Sequence, residues 1–364
     1  MNLGRTSPKL KCLLLANGFY KQYHVLRGAA EAGLSVCVLG GPFARRLKRS
    51  RFCAVFEEWN FNSDGPLENV VEQIERIVLR ENIDFVMCSD CVTSLLLIKN
   101  SGRLSIPTFP MPDLETFQTL NDKWCFYKLC TSIGVSVPET FLYQNVCALK
   151  ADIAAGRIKA PITVKPTNLN SGIGVHHIIL PDDLSLLDVI NYEPIVAQRH
   201  IIGIDVGVSM LCYHGRIRAW TAQLFRGSRG SHDVFFRSDA CFEAIAMVAN
   251  VTKFNGVAQF DARLELSTGR IYFVECNPRF WASFFTLLNA GLNYISLGLS
   301  AATDPPDHLL TIESVEAPRI RGLIRKLVTP WKLTRGDVKA LQYFLSDPVP
   351  CFMIVVARMR AVSN

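Results

Sequence analysis

The chain has 364 residues, 49% hydrophobic and 20% charged, with 23 glycines and 18 prolines scattered without period. This length accommodates two or three domains whose cores need no disulfide staples, and the composition excludes disordered and collagen-like chains. The 39 basic and 32 acidic residues leave a net charge of +7, which suits small anionic ligands but is too dispersed for a nucleic-acid surface.

In chain order, the apolar run Cys12 to Leu15 predicts a first strand and Tyr23 to Ala32 a helix ending at Gly33. Leu34 to Leu39 predicts a second strand. A helix around residues 67–80 follows, with Val70, Val71, Ile74, Ile77 and Val78 at helical spacing, and then a strand from Ile83 to Met87. Alternation of this kind implies a parallel α/β sheet. The turn after the first strand holds a single glycine, Gly18, and lacks the glycine fingerprint that brings a backbone against a pyrophosphate, which disfavours a dinucleotide-binding oxidoreductase.

The 12 cysteines lie mostly in apolar segments, where free thiols act as small hydrophobes, so a reducing cytoplasm is the expected location. Cys88 and Cys91 have redox or zinc-ligand spacing, but no second pair completes a tetrahedral site. No apolar run approaches the ~20 residues of a membrane span, and the N-terminus lacks the core of a secretory signal. Neither membrane nor nucleic acid is an expected partner.

Pro107, Pro110 and Pro112 mark a boundary, since each removes a donor and pushes its predecessor out of helix. A helix is expected from Asp113 through Lys123 to near Gly134, then β-like sequence from Val135 to Tyr143. Ile162 to Lys165, Ile195 to Gln198, Val206 to Cys212, Arg216 to Ala222, Val257 to Leu264 and Ile271 to Glu275 predict strands, and Ser238 or Asp239 opens a helix that stops before Gly256. This half is α+β. The tail after Ala301 holds Asp304-Pro305-Pro306, a basic segment from Ile320 to Leu333 and an apolar run from Cys351 to Val356.

Three segments carry chemistry. Thr163 to Val175 places Lys165 at a strand end before a small-residue loop whose Gly172 and Gly174 let backbone amides converge on an anion; an ordinary hairpin would read the same way. In Val257 to Arg263 and Tyr272 to Trp281, strand alternation puts Gln259 and Asp261 on one face of their strand, and likewise Glu275 and Asn277 on one face of theirs. Two antiparallel strands joined at Ser267 to Arg270 would oppose Asp261 to Glu275 and Asn277, an all-oxygen set suited to magnesium. A solvated hairpin face is the alternative, although it explains poorly why Glu275 continues the apolar run Ile271 to Val274. Third, Arg226, Arg229 and Arg237 flank a polar loop. They are candidates for gripping an acidic substrate, or simply a solvated surface. His176 and His177 have no evident partner and read as structural.

The strand-end lysine, the glycine loop and Glu275-Cys276-Asn277-Pro278-Arg279 together resemble the ATP-grasp superfamily, in particular its carboxylate-amine ligases and carbamoyl-phosphate-synthase-like members. The resemblance implies an N-terminal Rossmann-like pre-ATP-grasp domain over residues 1–111, an ATP-grasp domain over 112–300 with two α+β subdomains clasping ATP, and a C-terminal extension over 301–364 packing on that core. It further implies that Lys123 and Lys165 contact nucleotide phosphates, that Ser171, Gly172 and Gly174 close over them, and that Gln198 and Ile201 lie on the hinge strand beside adenine. Asp205 would take the ribose-hydroxyl role, where a glutamate is usual, and Gln198 stands where an acid is usual. Asp261, Glu275 and Asn277 match the magnesium or manganese ligands, with Gln259 filling the first-ligand role in some branches. Arg279 faces the transferred phosphate or the substrate carboxylate, and Cys276 should point away into the core.

The implied activity is ATP-dependent activation of a carboxylate as an acyl-phosphate, followed by attack of an amine to give an amide, ADP and phosphate, in a cytoplasmic protein of a group that is often homodimeric. Three alternatives are open: a phosphotransferase on the same fold, a non-catalytic nucleotide-binding protein, and a redox protein using Cys88 and Cys91.

Overall fold

The computed structural model describes residues 9–59, 68–169, 172–226, 232–303, 309–326 and 329–360. The chain begins with β1 (Lys11–Ala16), α1 (Tyr20–Glu31), β2 (Ser35–Gly40), β3 (Cys53–Glu58), α2 (Glu68–Glu81), β4 (Phe85–Cys88) and α3 (Cys91–Asn100). The strands form a parallel sheet in the order β3-β2-β1-β4. Edge strand β3 is not among the strands expected from sequence: it ends in Glu57 and Glu58 and buries no residue completely, so it carries neither alternation nor an apolar run. Cys88 and Cys91 straddle a strand-to-helix turn. Asp90 caps α3 by accepting from Thr93 N at 3.0 Å, and neither cysteine forms a disulfide.

The second layer holds α4 (Leu114–Asn121), α5 (Lys123–Ser132), β5 (Thr140–Tyr143), α6 (Val146–Ala154), β6 (Ile162–Pro166), β7 (His176–Ile178) and β8 (Ile195–Arg199), with an antiparallel sheet ordered β5-β8-β6-β7. The single helix expected over 113–134 is two helices. Asp122 Oδ1 accepts from Trp124 N at 3.0 Å and Cys125 N at 2.9 Å, a capping arrangement that starts a new helix there. Lys123 is therefore the first residue of α5.

The third layer is a seven-stranded sheet. It comprises β9 (Gly203–Tyr213), β10 (Arg216–Arg226), β11 (His232–Phe236), α7 (Asp239–Thr252), β12 (Gly256–Glu265), β13 (Ile271–Asn277), α8 (Phe284–Ala290), α9 (Tyr294–Thr303), β14 (Leu310–Thr311) and β15 (Glu316–Pro318). Its strands run β13-β12-β9-β10-β11-β15, with β14 beside β10. Phe126 and Phe254 join Phe260, Phe273 and Cys276 in the core beneath one face, each buried aromatic contributing on the order of 2 kcal/mol. Gly256 opens β12 at φ +106°, where an added Cβ would lie 2.5 Å from Pro110 O; only glycine fits this crossing.

The chain ends with α10 (Ile320–Lys326), α11 (Arg335–Leu345) and α12 (Pro348–Arg360). One apolar cluster joins α11 and α12 to α1, α8 and β15. The Arg27 guanidinium lies 3.8 Å from the Tyr343 ring centroid and 4.4 Å from that of Phe52, and its Nη1 donates to Tyr343 O at 2.7 Å. The tail thus ties the first sheet to the third. No helix among the described residues is long and apolar enough to cross a membrane.

Candidate active site

On β12 and β13 the antiparallel register sets Gln259 opposite Asn277 and Asp261 opposite Glu275. Alternation sends Phe260 and Cys276 into the core, leaving the four polar side chains on the other face. Beyond this quartet the register slips: Asp261 pairs with Glu275 and Ala262 with Phe273, so Val274 is bulged out. Its carbonyl oxygen lies 3.5 Å from Lys165 Nζ.

Two buried lysines face the carboxylates. Lys123 Nζ lies 3.5 Å from Glu275 Oε2 and donates to Leu169 O at 2.8 Å. Lys165, on β6, donates to Gln198 Oε1 at 2.9 Å. Burial pulls the Lys165 ammonium down to about 8, with Glu275 opposing the shift and Lys123 adding to it. Burial would raise Glu275, but Lys123 and Lys165 outweigh it and hold this carboxyl below its usual range. Asp261 goes the other way, raised by burial and then by the adjacent Glu275 charge.

This pair fits a divalent cation. Two hard carboxylates stand together, one disfavoured in its charged form, and a cation between them would relieve that cost. Asn277 is turned elsewhere: its Nδ2 donates to Gln259 Oε1 at 3.0 Å and Asp261 Oδ2 at 3.4 Å, while its Oδ1 accepts from Arg279 Nη2 at 2.7 Å. Gln259 Nε2 likewise donates to Asp261 Oδ1 at 2.8 Å. In this arrangement the two amides orient Asp261 and Arg279, and their oxygens do not face the carboxylates. No group of three or more His, Cys, Asp or Glu side chains able to hold a metal occurs among the described residues.

Two cavities share Asp261, Glu275, Gly172 and Phe225 as a common rim. The first, about 390 Å³, is lined by Lys165, Gln198, Ile201, Asp205, His177, His200 and Arg263 among others. Asp205 is exposed at its mouth and held by Arg263 Nη1 at 2.9 Å. His177, read as partnerless from sequence, shares the Thr163 hydroxyl with His200: Thr163 Oγ1 lies 3.1 Å from His177 Nδ1 and 2.9 Å from His200 Nδ1. Burial, then the Arg263 charge, lowers both imidazoles. Gly174, at φ +72°, leaves 2.9 Å between an added Cβ and Tyr192 Cε1, and its carbonyl accepts from Tyr192 Oη at 2.6 Å.

The second cavity, about 330 Å³, is lined by Arg279, Lys21, Arg319 and the aromatic residues Tyr20, Phe225, Trp281 and Phe285. Arg279 is nearly buried. Lys21 and Arg319 escape the sequence reading because they come from the start of α1 and from the tail, far from any motif. One signal was present for Lys21: it follows β1, and the carboxyl end of a parallel strand is where open α/β sheets bind ligands. Of the three arginines proposed from sequence for the substrate, Arg237 lies at the surface between Asp239 and Glu313, each at 3.4 Å, and lines neither cavity; those ion pairs account for it. Ser171, Arg229 and the side chain of Arg226 lie outside the described residues.

No family model and no curated protein matches the chain. Solved structures do. N5-carboxyaminoimidazole synthetase from Staphylococcus aureus in complex with ADP superposes with a TM-score of 0.66 at 16% identity, over 89% of this chain and 86% of that one. L-amino acid ligase from Bacillus licheniformis gives 0.60 at 16% identity, over 82% and 76%. Pyruvate carboxylase from Rhizobium etli gives 0.61 at 17% identity over 80% of this chain, which spans only 28% of that protein's length. At these identities the likeness is one of architecture, and it settles that point: over most of its length the chain has the ATP-grasp fold.

Proposed function

We propose that the chain is an ATP-dependent ligase that activates a substrate carboxylate as an acyl-phosphate and joins it to an amine, releasing ADP and phosphate. The observation that carries this reading is the meeting of buried Lys123 and Lys165 with Asp261 and Glu275 at the rim between two cavities. Phosphoryl transfer needs charge neutralisation and positioning more than acid-base groups. The site offers that kind of chemistry, with its cations sorted on both sides of a carboxylate pair.

In this reading the 390 Å³ cavity takes the nucleotide. Lys165 is held by the neutral Gln198 amide, so its charge stays available to phosphate oxygens, and Lys123 at the start of α5 adds a second cation. Bound magnesium, or manganese in its place, would be held by Asp261 and Glu275 and would neutralise phosphate charge. The 330 Å³ cavity takes the acid, and Arg279, oriented by Asn277, stabilises charge at the reacting end. Closure of the glycine loop, with Tyr192 buttressing Gly174, excludes water that would otherwise hydrolyse the acyl-phosphate. Residues 1–111, 112–300 and 301–364 then act as preceding domain, ATP-grasp domain and C-terminal extension of a cytoplasmic enzyme.

The test is ADP release by purified protein against pools of carboxylates and amines, with mass spectrometry of the product. An amide supports the ligase. A stable phosphorylated product with no amide would establish the phosphotransferase instead.

A further inference from the structure

The seven-stranded sheet has β13 at one edge and β15 at the other. Arg279 follows β13, Arg319 follows β15, and both line the 330 Å³ cavity. Two guanidinium groups thus enter one cavity from opposite edges of the sheet. Arg279 belongs to the reacting end, beside Asn277 and the carboxylate pair.

Arg319 has its own support. Its Nε donates to Asp233 Oδ1 at 2.7 Å, and Asp233 is completely buried. Its guanidinium lies 4.1 Å from the ring centroid of Phe225, the residue paired with Asp233 across β10 and β11. A buried carboxylate and an aromatic face therefore hold this side chain against the cavity wall. A guanidinium carries donors on two edges, and Asp233 engages the Nε edge. The cavity wall has an apolar, largely aromatic part made by Tyr20, Phe225, Trp281, Phe285 and Ile320, beside the polar Lys21, Ser283 and Thr286. Asp261 and Glu275 are the only acids among the described lining residues, and the ligase reading already uses both.

We infer that the acid substrate is a dianion: one carboxylate reacts beside Arg279, a second anionic group is gripped by Arg319, and an apolar or aromatic body spans the wall between them. Arg319 is then the specificity residue and Asp233 its positioning residue. This inference rests on the ligase reading and deepens it.

The probes are matched acids differing by one carboxylate, with the body between the two anions: 4-methylphenylacetate against 1,4-phenylenediacetate, and octanoate against suberate. They are assayed by ADP release from MgATP with hydroxylamine as trapping nucleophile, and by thermal shift of the MgADP-loaded protein. The expected result is a preference for the diacid of a pair. Arg319→Gln should raise its KM on the order of 10- to 100-fold with little change in kcat, and so abolish the preference for the diacid over the monoacid. Asp233→Asn with Arg319→Gln removes both charges together, avoids stranding a buried carboxylate, and should lose the preference equally. Equal response to mono- and diacids, response to neither, or a diacid preference that survives both variants would overturn the inference. Failure of the wild-type protein to bind MgADP would instead sink the ligase reading, so the two failures are distinguishable.

Discussion

Gln198 accepts a hydrogen bond from Lys165 Nζ at 2.9 Å while its own Nε2 donates to Thr140 Oγ1 at 2.9 Å, and that hydroxyl donates to Pro138 O at 2.7 Å. The relay fixes the amide with its oxygen toward the lysine. A glutamate would have no donor for Thr140 and would pair off the charge of Lys165 before any nucleotide arrived. Gln198→Glu is therefore expected to weaken MgADP binding roughly tenfold, measured by titration calorimetry, a cost of about 1.4 kcal/mol.

Lys165 also sets a pH dependence. With the buried ammonium pulled down to about 8 against 10.4 for an ordinary lysine, the unfolded chain binds more protons between these values, so stability rises with pH across that window. Below about pH 8 the full cost of burying the charge is present. Lys165→Met should accordingly raise the Tm of the nucleotide-free protein at pH 7, by up to about 3 kcal/mol of stability, while abolishing ATP turnover. MgADP affinity of the wild-type protein should fall as pH rises through the Lys165 titration, because the phosphates lose their counter-charge.

The carboxylate pair predicts a response to metal. Asp261 is raised by burial and by Glu275, so magnesium should stabilise the wild-type protein against heat and EDTA should reverse the gain. Asp261→Asn and Glu275→Gln should each abolish that magnesium-dependent rise and ATP turnover with it. Asp261→Asn removes the like-charge contact but sets an amide NH2 where an oxygen accepts from Gln259 or Asn277, so the metal-free protein should change little in stability. Equal magnesium stabilisation of all three proteins would place the metal elsewhere.

Gly174 limits the loop. Alanine there would meet Tyr192 Cε1 at 2.9 Å and keep a left-handed φ of +72°, which costs ~1 kcal/mol for the conformation before any clash. Gly174→Ala should lower kcat for ligation more than MgADP affinity, and raise the fraction of ATP hydrolysed without product. That ratio is read by comparing ADP with amide formed.

The parts of this protein legible in its sequence are those where local pattern and chemistry coincide. Strand alternation around Glu275 and Asp261 foretold their opposition because a period of two leaves few registers for a short hairpin. Cys276 follows from the same alternation and lies in the core. The break at Asp122 was hidden because the apolar pattern runs through it, and only the cap reveals two helices. Edge strand β3 and strand β11 lack a continuous apolar signal. Lys21 and Arg319 could not be found by spacing, since the cavity is assembled from α1, β13 and the tail, whose juxtaposition belongs to the tertiary structure. The Thr163 bridge between His177 and His200 is likewise a product of folding.

The central claim is that the paired lysines and carboxylates transfer a phosphoryl group from ATP to a carboxylate. The most direct measurement incubates the protein with MgATP, an ¹⁸O-carboxylate pool and hydroxylamine, and follows ¹⁸O into released phosphate. Transfer of one labelled oxygen per ADP, abolished in folded Glu275→Gln protein, is the predicted result. ADP release with unlabelled phosphate, or full activity in Glu275→Gln, would contradict it.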